Sequence, residues 1–334
     1  MIHIEQWPSP IKASKKTLLD AALDAGVPFP HSCMSGECGQ CKCQLLRGEV
    51  RRLSASPDAL TPADVAAGRI LACRSVAQGE VALRWLAPGQ PANTVQKLQA
   101  RVSTIEAAAH HVMIVRVCPA QRLSFLPGQF ARLRLGTLAP RSYSMANQPG
   151  EDELEFHIRV VPNGQVSGYV AHTLRVGDDI GIEGPFGDAH WQGASDTALL
   201  LLAGGTGLAP MISVLDAALR EGHPPEQIHV YHGVREERDL YAGAKLQGLA
   251  KHHGFRFQPV FSAGAHPQHL HDVVRRDFRC LKQSQIYVAG PPPMVEAVKA
   301  LAGALGADPA QIYADAFYAT PQTKKRWWQR WVRP

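Results

Sequence analysis

Hydrophobic and polar positions along the chain fall into three textures. Over residues 1–88 an alternating run, IHIEQW, gives way to TLLDAALDAG. In that segment Leu18, Ala21, Ala22 and Ala25 recur at helical spacing, and Gly26 stands where a helix stops. CQLLRGEV then reads as a strand and EVALRW as a closing strand. From about residue 98 to 190 the pattern changes to short alternating runs, HHVMIVRV, QFARLRL, ELEFHIRVV and DDIGIEGP, separated by Gly, Pro and Asn turns. Strands at that spacing predict an antiparallel barrel or sandwich. Over residues 193–320 unbroken apolar strands (TALLLLA, QIHVYHGV, FRFQPVF, QIYVAG) alternate with helical segments such as GGTGLAPMISVLDAALREG and PPMVEAVKALAGALG. Continuous apolar strands between helices predict a parallel sheet covered on both faces.

Length and composition sharpen this picture in a few places. A chain of 334 residues is long for one core, in keeping with three units. The small, Pro-rich stretch APGQPANT opens a linker placed at 89–97, and residues 321–334 form a basic, Trp-rich tail, KKRWWQRWVRP within it. The net charge of +6 is spread through most of the sequence, so no dedicated nucleic-acid surface is expected. No run approaches the ~20 apolar residues of a membrane span. The opening MIHIEQWPSP lacks the basic segment and apolar run of a signal peptide. Seven cysteines, several of them crowded together, fit reduced thiols or metal ligands better than a secreted disulfide framework, and a cytoplasmic location is expected.

The crowding is in CMSGECGQC. Cys33, Cys38 and Cys41 have the spacing C-x4-C-x2-C, and Cys73 follows in ILACRS. This is the plant-type arrangement for a [2Fe–2S] cluster. Four thiolates must reach two irons, so three come from one loop and one from a distant segment. Gly36 and Gly39 let that loop curve and turn N–H groups towards the sulfides. A zinc site would show two C-x-x-C pairs, and only Cys38 and Cys41 form one. Cys43, on the following strand, reads as a core thiol, as do Cys118 and Cys280 in their apolar contexts.

RSYSMAN (141–147) followed by GQVSGYV (164–170) resembles the flavin-binding pair of the ferredoxin-NADP+ reductase superfamily. The resemblance implies that Arg141 neutralises the flavin diphosphate, Tyr143 stacks on the isoalloxazine and Ser144 hydrogen-bonds near its N5, with Ser142 lying between them. Gly164, Gln165, Val166 and Ser167 would close over the phosphates, which favours FAD over FMN. A guanidinium forks onto phosphate oxygens and an aromatic face stacks on a flat ring, so these residue types suit the task. The turn Gly204, Gly205, Thr206, Gly207 is similar to the GGTG-x-AP loop of the same superfamily, a helix N-terminus offered to a dinucleotide diphosphate. It is not the G-x-G-x-x-G fingerprint. HGVREERDLY (232–241) resembles the stretch that meets the adenosine ribose. There Glu236 and Glu237 would accept from ribose hydroxyls, which suggests NADH, whereas Arg235 and Arg238 would suit the 2′-phosphate of NADPH. VAGPPPMV, with Gly290 and Pro291, resembles the loop beneath the nicotinamide, although Ala289 stands where the common pattern has cysteine. In IYADAFY, Asp315 and Phe317 take the place of the acidic and aromatic residues that approach the flavin.

In this order the motifs resemble the reductase components of bacterial ring-hydroxylating dioxygenases and multicomponent mono-oxygenases. The resemblance implies a multidomain α+β and α/β chain: a β-grasp ferredoxin domain, an antiparallel Greek-key β-barrel flavin domain and a parallel α/β nicotinamide-binding domain. It implies hydride transfer from NADH to FAD, with Tyr143, Ser144, Asp315 and Phe317 at the reacting ring. Single electrons would then pass to the cluster and on to an oxygenase component, Rieske or di-iron, or to a separate ferredoxin. No nucleic-acid or membrane partner is expected. Two alternatives stay open on sequence: a reductase serving a deoxysugar (CDP-6-deoxy-glucoseen type) dehydratase, and a non-enzymatic ferredoxin-like carrier with a regulatory nucleotide module. Met34 stands where relatives often carry a polar residue, and the tail fits a docking or packing segment.

Overall fold

The structure is a computed structural model that describes residues 1–31, 34–36, 39–57, 59–86 and 95–318. The first unit runs β1 (Ile2–Ile4), α1 (Leu18–Asp24), β2 (Lys42–Arg47), β3 (Val50–Arg52), α2 (Pro62–Ala66), β4 (Arg69–Leu71), β5 (Ser75–Ala77) and β6 (Val81–Trp85). Four strands form a sheet in the order β1-β6-β2-β4, with β1 parallel to β6 and the other pairs antiparallel. CQLLRGEV is two strands rather than one. Gly48, at φ +89°, turns the chain so that β2 joins the four-stranded sheet while β3 pairs with β5. Thr17 caps α1 by accepting from the Asp20 N–H at 3.1 Å, and Leu18, Leu19, Ala21, Ala22 and Leu23 are buried. Ala25, expected on that buried stripe, is exposed, because the helix ends at Asp24 and Ala25 is its cap.

The second unit comprises β7 (Gln96–Ala109), β8 (Val112–Pro119), β9 (Phe130–Arg134), β10 (Arg141–Ser144), β11 (Leu154–Arg159), α3 (Gln165–His172) and β12 (Asp179–Phe186). β7 therefore takes in the last two residues assigned to the linker. All strand pairs in the sheet β10-β9-β12-β7-β8-β11 are antiparallel. A bridge between Met145 and Phe156 joins the two outer strands. Around this sheet Val102, Val117, Leu133, Phe156 and Ile182 form a closed apolar core.

The third unit alternates β13 (Ala198–Gly204), α4 (Leu208–Arg220), β14 (Ile228–Val234), α5 (Gly243–His253), β15 (Arg256–Phe261), α6 (Leu270–Asp277), β16 (Ser284–Gly290), α7 (Pro292–Ala304) and β17 (Ile312–Ala316). Its sheet, β15-β14-β13-β16-β17, is parallel throughout. Leu199 and Leu201 of β13 pack with α4 and α5 on one face, and Leu200 and Leu202 pack with α6 and α7 on the other. Both faces are covered, as the unbroken apolar strands predict. Cys43 is buried as expected, but Cys118 and Cys280 are exposed. Cys118 falls on the outward alternation of β8, and Cys280 lies in the turn between α6 and β16. Among the described residues no helix is long and apolar enough to cross a membrane.

The first two units share a boundary that is part apolar and part charged. Phe130 and Phe186 of the second unit belong to the first unit's core, and His31 meets Phe186 edge-on at 5.8 Å. Beside them Arg132 reaches Asp20 at 3.1 Å and Glu183 at 3.3 Å, while Lys97 reaches Asp24 at 2.8 Å. Burial alone would raise the Asp24 carboxyl, but hydrogen bonds from Lys16 and Lys97 outweigh it and hold the pKa below the ordinary value. A depressed carboxyl stabilises the fold above its unfolded pKa of about 4 and loses that contribution as pH falls through the folded value. Thermal midpoints of the protein and of Asp24→Asn are therefore expected to converge below about pH 4 and to differ most near neutrality. The pair is partly solvated, so the gap should be worth less than about 1 kcal/mol. Equal acid limbs for the two proteins would remove the ion pair from the boundary's energetics.

Candidate functional site

Cys41 ends the cysteine loop directly before β2, and Cys73 sits on a short 3₁₀ turn (Ala72–Arg74) after β4. The antiparallel pairing of β2 with β4 brings these segments together. The two sulfurs lie 3.2 Å apart, both buried, and the Cys73 N–H donates towards the Cys41 sulfur at 3.5 Å. Two thiols this close do not both ionise unless a cation offsets their repulsion, so the donor pair suits an iron centre. Cys33 and Cys38 lie outside the described residues. Cys43 is fully buried opposite Ile70 and Trp85, and burial pushes its thiol up, which keeps it protonated and in the core. Arg74 lies across Gly36 of the loop so closely that a Cβ there would sit 2.5 Å from its Cγ. Ser56 N–H donates to the Gly36 carbonyl at 3.0 Å. Met34 is half-buried against the same core.

The flavin motif lies on β10. Arg141 and Tyr143 share one face of the strand, and Ser142 and Ser144 share the other. Among the described residues the half-buried Arg141 has no carboxylate partner; its guanidinium reaches only the neighbouring Pro140 carbonyl, at 3.0 Å. A cation without a counter-ion suits a diphosphate. Burial pushes the Tyr143 phenol up to about 12, with Arg141 pulling the other way, so the ring is neutral. Gly164 is the N-cap of α3, whose first residues are Gln165, Val166 and Ser167. That helix has no side-chain cap and no acidic residue in its first turn, which leaves its N–H groups to a ligand. The Ser167 hydroxyl accepts from Val161 N–H at 3.2 Å and occupies the space a Cβ on Gly164 would need.

The sheet order of the third unit reverses between β13 and β16, the switch point where open α/β sheets bind ligands beyond their strand ends. Gly204 ends β13, and Gly205, Thr206 and Gly207 form a 3₁₀ turn into α4, which again has no side-chain cap and no acidic first turn. Gly290 ends β16, and Pro291 precedes α7. The two turns touch: a Cβ on Gly207 would lie 2.1 Å from the Ala289 carbonyl oxygen. At the end of the neighbouring β14, Glu236 binds Arg238 at 2.9 Å and meets Arg235 at 3.9 Å. The acidic and basic candidates for the ribose are thus paired with one another, while Glu237 is exposed.

Residues far apart in the sequence converge where the second and third units meet. Ser144 Oγ lies 3.4 Å from Asp315 Oδ2 across 171 positions, and the Phe317 N–H donates to the Gly290 carbonyl at 2.8 Å. Ser213 of α4 donates to the Asn147 carbonyl, and Gln148 donates to the Ser213 carbonyl at 2.6 Å. Further along, Tyr241 OH is 3.0 Å from His157 Nδ1, whose Nε2 faces Glu155 at 2.9 Å. Burial opposes ionisation of Glu155, but His157 and Arg116 hold its pKa at about 2. The sequence reading set Ser144, Asp315 and Phe317 at one site but missed the fastenings through Asn147, Gln148, Ser213, His157 and Tyr241. His157 gives no signal of its own, because ELEFHIRVV also carries Glu153, Glu155 and Arg159.

Comparison with known proteins agrees with this arrangement. Residues 7–78 match the 2Fe-2S iron-sulfur cluster binding domain, 99–191 the oxidoreductase FAD-binding domain and 201–300 the oxidoreductase NAD-binding domain. The reductase component of the naphthalene 1,2-dioxygenase/salicylate 5-hydroxylase systems of a Ralstonia species is 36% identical over 312 residues, covering 90% of this chain and 93% of the relative. The corresponding component of the Pseudomonas putida naphthalene 1,2-dioxygenase system is 34% identical over 308 residues, covering 90% and 93%. The crystal structure of the Amycolatopsis cytochrome P450 reductase GcoB superposes with a TM-score of 0.85 at 32% identity, over 96% of this chain and 99% of that one. With three domain matches in this order and relatives matched along nearly their full length, the chain belongs to the family of iron–sulfur flavoprotein reductases that form the reductase components of dioxygenase and mono-oxygenase systems.

Proposed function

We propose that this protein takes electron pairs from NADH and delivers them singly, through its iron–sulfur centre, to the oxygenase component of an aromatic-hydroxylating system or to that system's ferredoxin. The observation that carries this reading is the Ser144–Asp315 contact, which sets the flavin motif of β10 against the end of β17, beside the nicotinamide loop at Gly290. Ferredoxin names the electron route of the Ralstonia and Pseudomonas relatives, and this favours a separate ferredoxin as acceptor.

When bound, FAD exchanges electron pairs with a nicotinamide and single electrons with an iron–sulfur centre. The chain's own residues bind and orient. Arg141 and the bare N-terminus of α3, from Gly164 to Ser167, hold the flavin diphosphate. Tyr143 offers its face to the ring, and Ser144, oriented by Asp315, offers a hydroxyl to it. Phe317, whose N–H is tied to the Gly290 carbonyl, would stand beside the flavin where the coenzyme loop meets it. Gly204 to Gly207 receive the coenzyme diphosphate, Gly290 and Pro291 lie under its nicotinamide, and Glu236 faces its ribose. Cys33, Cys38, Cys41 and Cys73 hold the iron. The units are a β-grasp domain at 1–88, a Greek-key flavin barrel at 98–190 and a nicotinamide domain at 193–320, in a cytoplasmic protein with no membrane partner.

Anaerobic addition of NADH to the protein loaded with iron, sulfide and FAD is expected to bleach the flavin absorption first and the cluster absorption after it. A protein that binds both groups and stays oxidised would be a carrier, not a reductase.

A further inference from the structure

His232 is fully buried near the carboxyl end of β14, between Tyr231 and Gly233. Its Nε2 lies 3.0 Å from the Gly205 carbonyl oxygen. A carbonyl only accepts, so Nε2 carries the proton and Nδ1 the lone pair. Among the described residues that Nδ1 is buried with no hydrogen-bond partner. Phenylalanine or leucine would fill the same space without stranding a polar atom, and a stranded buried group in a native fold needs a reason. Burial lowers the ring's pKa to about 4, against the pull of the Gly205 carbonyl, so the imidazole is neutral at ordinary pH. Tyr241 packs edge-on against it, with ring centres 5.5 Å apart at 89°.

The Gly205 carbonyl also accepts from the Leu208 N–H at the start of α4. Two donors from different elements fix the plane of the Gly205–Thr206 peptide. In a trans peptide the C=O and N–H point in opposite directions. Drawing the Gly205 oxygen towards His232 therefore turns the Thr206 N–H the other way. Gly205, at φ +54°, has no Cβ to hold that conformation by packing, so the peptide depends on its hydrogen bonds.

We propose that His232 is a positioning residue for the coenzyme: by holding the Gly205 carbonyl it aims the Thr206 N–H at the coenzyme diphosphate. This rests on the reading of Gly204–Gly207 as the coenzyme loop. Glutamine can place an amide N–H where Nε2 stands, whereas asparagine reaches only the Nδ1 position and phenylalanine supplies no donor.

The test uses the FAD- and iron-loaded protein with His232→Gln, His232→Asn and His232→Phe. Two quantities are measured: the NADH concentration dependence of flavin reduction, and equilibrium binding of ADP-ribose, which carries the diphosphate without the nicotinamide. Asparagine and phenylalanine are expected to weaken both NADH and ADP-ribose by about tenfold, the size of one lost hydrogen bond. Their limiting reduction rates should stay within about twofold of the unaltered protein, and glutamine should restore both affinities to within about threefold. Should glutamine bind ADP-ribose as poorly as asparagine, or asparagine as well as the unaltered protein, His232 has no positioning role. Failure of the unaltered protein to accept electrons from NADH would instead overturn the proposed function, and the ADP-ribose comparison separates the two outcomes.

Discussion

Exchanging Cys73 for serine is expected to strip the iron–sulfur centre from the protein and to leave the flavin half working. Serine is nearly the same size, so the turn Ala72–Arg74 should keep its place beside β4. The change falls on the ligand itself: an alcohol does not ionise at neutral pH as a thiol beside iron does. Altering a residue that only supports a ligand already costs metal affinity ~10–100-fold, and losing a direct thiolate should exceed that. Visible absorption of the cluster and bound iron should fall together. NADH-to-ferricyanide activity, which can leave through the flavin, should stay within about twofold of the unaltered protein, because the flavin and coenzyme motifs lie on other units. Reduction of a ferredoxin should be lost. An unchanged cluster spectrum would mean that another thiol completes the centre, and Cys43 would be the first to examine. The structure argues against that outcome, since Cys43 faces Ile70 and Trp85 within the core while Cys41 and Cys73 meet at 3.2 Å.

What the sequence disclosed and what it hid divide along a physical line. The cysteine spacing, the Arg-Ser-Tyr-Ser run and the Gly-Gly-Thr-Gly turn are legible because a ligand is gripped by adjacent backbone groups, which forces the necessary residues into one short stretch. The parallel sheet was equally open to reading, since Leu199 to Leu202 must each meet a core on one face or the other. Contacts that depend on two units arriving together leave no such mark. Neither Gln148 nor Ser213 announces the other across 65 positions, and Asp24 does not announce Lys97. Apolar context misled for Cys118, because half of every strand in a one-sided sheet faces outwards and apolar neighbours do not say which half. Gly48 divided a strand that its apolar content had suggested was continuous, since a positive φ ends the pleat whatever its neighbours prefer.

The same line decides what the glycines of the coenzyme turn do, and it predicts opposite outcomes for two of them. At Gly205 an added Cβ meets nothing within 4 Å, although φ is +54°. Gly205→Ala should therefore cost only about 1–2 kcal/mol, the strain of one residue in the left-handed region. At Gly207 the added carbon would lie 2.1 Å from the Ala289 carbonyl oxygen and 2.5 Å from its carbon. Neither wall is a side chain that can swing away. Ala289 is fully buried on β16, which pairs with β13 through Ala203, so the turn and the strand must part for the methyl to enter. Overpacking of a core costs about 1–3 kcal/mol when side chains can yield, and backbone against backbone should reach or exceed the upper end. Gly207→Ala is thus expected to lower the melting temperature of the nicotinamide unit by roughly 10 °C. It should also abolish flavin reduction by NADH, because the parted turn can no longer present both the Gly204–Gly207 and Gly290 loops to one coenzyme. The flavin spectrum and dithionite reduction of the cluster should persist, since Arg141, Tyr143 and Cys73 lie on the other two units. Finding Gly205→Ala the more damaging of the pair to stability would show that the turn is limited by its backbone conformation and not by its closeness to β16.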